Sequence, residues 1–76
     1  MNADNRKTLG RLLDEMGARM EALKKMGSEE REKFDNKTEG LQQSKSGQEM
    51  ESVAAALDEA VSSIGSSIDK LREYAE

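Results

Sequence analysis

Cysteine, histidine, proline and tryptophan are all missing from this chain. Without cysteine there are no disulfides and no thiolate metal sites. Without histidine the commonest metal ligand and the usual general base near neutral pH are gone. No proline interrupts the chain, and Phe34 and Tyr74 are its only aromatic residues. There is also no run of the roughly 18 apolar residues that a membrane span requires. The first residues, Met1 to Asn5, are polar and lead into Arg6 and Lys7 without an apolar stretch. That is not the layout of a secretory signal, so the expected location is the cytoplasm.

What remains is an alphabet of Ala, Leu, Met, Glu, Lys, Gln and Arg, the residues that lose least on entering a helix. Charged residues make up 37% and apolar residues 34% of the 76 positions. Those proportions suit either a disordered chain or long amphipathic helices, and periodicity separates the two. A chain this short buries only about 60% of the surface it exposes when unfolded, so one domain with a marginal core is the ceiling. Small chains are commonly reinforced by disulfides, a metal or a second subunit, and here a second subunit is what is left.

The second half carries the clearer pattern. Met50, Val53, Ala54, Leu57, Ala60, Val61, Ile64, Ile68, Leu71, Tyr74 and Ala75 recur at steps of three and four. This predicts a helix over about 46–75, roughly 44 Å long at 1.5 Å per residue. Ser46-Gly47-Gln48-Glu49 fits a capping box at its start, with Ser44 as a rival cap. The first half carries Leu9, Leu12, Leu13, Met16, Met20, Leu23 and Met26 on the same rhythm, which predicts a helix over about 4–35. Gly10 and Gly17 inside it are either tolerated defects, the favoured reading, or places where a neighbouring helix comes close. Gly27-Ser28-Glu29-Glu30 admits a break and a new cap. Continuity is preferred because it keeps Phe34 on the apolar face.

Residues 36–45 form the connection, with Gly40 as a turn residue. A tight helical turn around Thr38 to Leu41 would tuck Leu41 between the helices beside Phe34. Charge favours an antiparallel pairing: residues 1–27 balance to +2 and residues 50–76 to −4. The expected fold is therefore all-α, an antiparallel hairpin of two long helices. Each apolar stripe is wider than one partner helix can cover, so dimerisation into a four-helix bundle is the simplest completion. Ser62, Ser63, Ser66 and Ser67 with Gly65 give the second helix a small-sided outer face, read as solvated in preference to a seam for a partner helix.

Other chemistries fit poorly. Asp35 to Gly40 opens like a calcium loop, but Lys37 and Ser46 stand at the third and twelfth positions, where oxygen ligands are needed. Asn36-Lys37-Thr38 matches the glycosylation triplet without a secretory context. No nucleophile–base pair or phosphate loop is present, so neither an enzyme, a cofactor nor a metal site is expected. Arg6, Lys7 and Arg11 form a small basic patch, but the net charge of −4 and the lack of interleaved aromatics argue against nucleic acid.

The stretch Phe34-Asp35-Asn36-Lys37-Thr38-Glu39-Gly40-Leu41-Gln42 resembles the hairpin turn of a group of small, uncharacterised bacterial and phage or plasmid proteins. In that group the turn reads roughly aromatic-Asp-Asn-Leu/Ile-Pro-Glu-x-Leu-Gln, followed by Ser and a long acidic helix. Phe34, Asp35, Asn36, Glu39, Leu41, Gln42 and Ser44 fit the pattern, while Lys37 and Thr38 replace its Leu-Pro pair. The resemblance implies an ordered turn in which Asp35 and Asn36 cap the end of the first helix or the start of the turn. The functional expectation is a non-enzymatic interaction or oligomerisation module, with itself or another protein as partner. The alternative is a mobile-element protein that binds and inhibits a host factor.

Overall fold

The computed structural model describes residues 1–76 and contains three helices and no strand: α1 (Ala3–Asp35), α2 (Glu39–Gln42) and α3 (Lys45–Ala75). The molecule is a rod of 57 × 14 × 13 Å. Its radius of gyration is 17.1 Å, against about 11 Å for a compact chain of this length. The helices α1 and α3 lie antiparallel along the rod. Arg72 near the end of α3 reaches Asp14 near the start of α1, and Arg31 near the end of α1 reaches Asp58 in the middle of α3.

Local chemistry sets the ends of α1. Asn2 is the N-cap, its side-chain oxygen accepting the Asn5 amide at 2.8 Å, which satisfies one of the first-turn donors. Asp4 sits at the positive end and Lys33 at the negative end of the helix dipole. The helix passes through Gly27 without a break. Asn36 closes it, donating its amide to the Glu32 carbonyl at 3.0 Å, and Lys37 donates to Phe34 at 3.1 Å.

The connection is built around one helical turn. Gly40 is a helical residue of α2, and no residue in the chain has a positive φ, so reversal is achieved without a left-handed glycine. Leu41 points outward and is 54% exposed, which corrects the expectation that it tucks in beside Phe34. The carbonyls of Leu41 and Gln42, at the C-terminal end of α2, instead lie against the start of α3. They meet Gly47: a Cβ there would run into the Leu41 oxygen and lie 2.7 Å from the Gln42 oxygen. The N-cap of α3 is Ser44, whose side chain accepts the Gly47 amide at 3.1 Å. The expected Ser46–Glu49 box is therefore displaced by the rival cap, and Ser46 lies inside the helix. Gly47 explains the choice. It is the third helical residue after Ser44, so its amide reaches the Ser44 hydroxyl, and its missing Cβ leaves room for the α2 carbonyls.

The core is thin. Leu13, Ala54 and Ile68 are its buried apolar residues, and Leu13 is the one large side chain fully enclosed. Leu9, Met20, Leu23, Phe34, Met50, Leu57, Val61 and Ile64 are half-buried along the seam. A Cβ on Gly65 would sit 3.4 Å from Met20 Sδ, so this glycine faces α1. Ser62, Ser63, Ser66 and Ser67 are exposed.

Candidate interaction surface

Heptad geometry gives the rod two distinct flanks. In α1, Leu13, Met20, Gly27 and Phe34 share the central seam position, seven residues apart. In α3 that position is held by Gly47, Ala54, Val61, Ile68 and Ala75. A residue one or four places after a central one falls on one flank of a helix. A residue one place before or three places after falls on the opposite flank. In an antiparallel pair, like flanks lie side by side.

The first flank is polar and paired. Arg31 and Asp58 each follow a central residue by four, and they meet at 3.3 Å. Arg72 also follows by four and Asp14 by one, and they meet at 3.0 Å. The same flank carries Gly10, Gly17 and Gly65, which keep it narrow. Both ion pairs are substantially exposed, so each orients the helices more than it stabilises them.

The second flank is mainly apolar, broken by Arg19 and, toward the turn, by the Lys33–Glu30 ion pair at 3.3 Å. Leu12, Met26, Val53 and Tyr74 precede central residues by one, and Met16 and Leu71 follow them by three. Their exposure runs from 41% for Val53 to 62% for Tyr74. Eight large apolar side chains are exposed in all, and these six share one side of the rod. The other two are Met1, ahead of α1, and Leu41. The expected core stripe therefore divides. Leu12, Met16, Val53 and Leu71 stand outside the seam, because a stripe of this width wraps past the line along which two helices touch.

Of the turn residues, Asp35, Asn36, Glu39 and Gly40 are exposed. Asn36 caps α1 through its backbone amide. Gln42 does the structural work of the motif, its Nε2 donating to the Phe34 carbonyl at 3.1 Å and so tying α2 to the end of α1. Gln48 Nε2 donates to the Gln42 carbonyl at 2.9 Å, extending the tie into α3. Gly27 and Gly47 are the close approaches that periodicity missed. A Cβ on Gly27 would meet Leu57 Cβ at 3.3 Å and Asp58 Oδ1 at 3.4 Å. Gly27 stands seven residues from Met20 and Phe34, so a central seam position occupied by glycine was the available signal.

No pocket opens in the hairpin, and no three carboxylates converge on a point where a metal could sit. No helix is long and apolar enough to cross a membrane. Comparison with known protein families, curated proteins and solved structures found no match to this chain.

Proposed function

We propose that this chain is a non-enzymatic interaction module whose first partner is a second copy of itself, forming a four-helix bundle. The observation that carries the proposal is the segregation of Leu12, Met16, Met26, Val53, Leu71 and Tyr74 on one flank while the two ion pairs that join α1 to α3 occupy the other. An apolar flank rimmed by charge is the pattern of a surface that gets covered.

Area supports it. A folded chain of 8.4 kDa exposes about 4,600 Å² when globular, whereas this one exposes 5710 Å². The excess of roughly 1,100 Å² is of the order of the 800 Å² that each partner contributes to a standard interface. A hairpin with one large side chain fully enclosed gains little from its own core, and docking a second apolar flank would supply the missing burial.

Sedimentation equilibrium tests this directly. The expected mass is twice the 8.4 kDa of one chain, falling toward the monomer on dilution. A mass of one chain at every concentration up to the millimolar range would overturn the dimer.

A further inference from the structure

Resting on that dimer, we infer that the second copy packs with its α3 against α1 of the first, about a two-fold axis parallel to the rod, so that both turns lie at the same end. Two two-fold arrangements keep the helices aligned when the apolar flanks face each other. With the axis along the rod, α1 meets the partner's α3 and each helix keeps antiparallel neighbours. With the axis across the rod, α1 meets the partner's α1, α3 meets the partner's α3, and the turns point in opposite directions.

Charge separates the two. The acidic helix α3 and the basic part of α1 attract across the interface only in the first arrangement, where the +2 of residues 1–27 faces the −4 of residues 50–76. In the second, α3 faces the partner's α3, and the −4 of residues 50–76 meets its own sign. The heights of individual residues sharpen this. Gly10 lies beside Ala75, Met20 beside Gly65 and Gly27 beside Asp58, so Glu15 stands level with Lys70. Both follow a central residue by two, on the outer rim of the apolar flank. A two-fold along the rod preserves height, and it therefore sets Glu15 opposite the partner's Lys70 twice over. A two-fold across the middle of the rod instead brings Glu15 toward the partner's Glu29, a like-charge contact on the same rim.

The apolar residues agree with the rod-parallel axis. Leu12 and Met16 stand at the height of Leu71 and Tyr74, so α1 of one copy meets the partner's Leu71 and Tyr74 at matched height. Met26 stands at the height of Ala60, where the small side chain gives it room. Glu15 is already 3.0 Å from Arg11 on its own helix, so the partner's Lys70 would join an existing pair.

The native chain has no cysteine, so a single Thr38→Cys substitution accepts one spin label per copy. Thr38 is exposed and its side chain makes no capping bond, so its replacement leaves the turn intact. Pulsed dipolar spectroscopy on the labelled dimer should give a distance below about 30 Å, since neighbouring helix axes lie only about 10 Å apart. A distance approaching the 57 Å length of the rod would overturn the arrangement while leaving the dimer standing. Absence of coupling together with a one-chain mass would sink the dimer itself. As a second measurement, Glu15→Lys and Lys70→Glu should each weaken assembly by up to about fivefold. Combined, they should restore it. A double variant as weak as both losses together would refute the pairing.

Discussion

Glycine does three different jobs in this chain, and only the neighbouring atoms tell them apart. At Gly17 no atom lies within 4 Å of where a Cβ would go, so Gly17→Ala should stabilise the protein by about 1 kcal/mol through helix propensity alone. At Gly27 the new methyl would press on Leu57 and Asp58, side chains that have some room to shift. At Gly47 it would run into two backbone carbonyls of α2, which cannot move without breaking the turn. Gly47→Ala should therefore destabilise by more than alanine's intrinsic gain, a net loss of about 1 kcal/mol or more given typical overpacking costs. Thermal melts of the two variants should move in opposite directions, by about 4–8 °C per kcal/mol for a chain of this size. A Gly47→Ala variant melting above the parent would show that the α2 carbonyls do not crowd that position.

At the scale of elements, α1 and α3 are propensity-driven along their length and specified at their ends. The ends depend on a few polar groups: Asn2 at the start of α1, Gln42 bridging to Phe34, and Ser44 at the start of α3. Ser44 and Ser46 lie two residues apart and differ only in their place relative to the first turn. Ser44→Ala should cost about 1 kcal/mol because the Gly47 amide loses its acceptor. Ser46→Ala, inside the helix, should be neutral or slightly stabilising. Equal effects of the two in denaturant titrations would place the cap elsewhere. Much of this layout was legible from residue spacing, since steps of three and four define helices wherever they occur. The choice of cap was not, because it turned on how close α2 comes to Gly47. Leu41 was misjudged for a related reason. Hydrophobicity signals burial, but a one-turn helix turns only one side toward the hairpin, and Leu41 stands on the other.

At the scale of the whole molecule, a long thin rod with an apolar flank should owe its stability to association. The melting temperature should then rise with protein concentration, because a dimer folds and dissociates by mass action. Leu12→Glu, at an exposed position on the flank, should abolish that dependence and lower the melting temperature to that of the isolated hairpin. A melting temperature that is constant over a hundredfold range of concentration would mean that the hairpin stands alone. Salt should weaken assembly modestly, since the rim charges proposed to meet across the interface remain solvated.

The sequence by itself determined that the chain is helical, that two long apolar stripes exist, and that one helix is richer in acid than the other. Those properties follow from residue type and spacing, which are local. Only the tertiary structure decided how the stripes are shared between the seam and a bare flank. That division depends on the rotation of each helix about its axis, and the rotation is set by where Gly27, Gly47 and Gly65 allow backbones and side chains to approach. Periodicity identifies an apolar face without saying which edge of it another helix will cover. With Leu13, Ala54 and Ile68 taken into the seam, the edge carrying Leu12, Met16, Met26, Val53, Leu71 and Tyr74 is left open, because two cylinders touch along a line and the stripes are broader than that line.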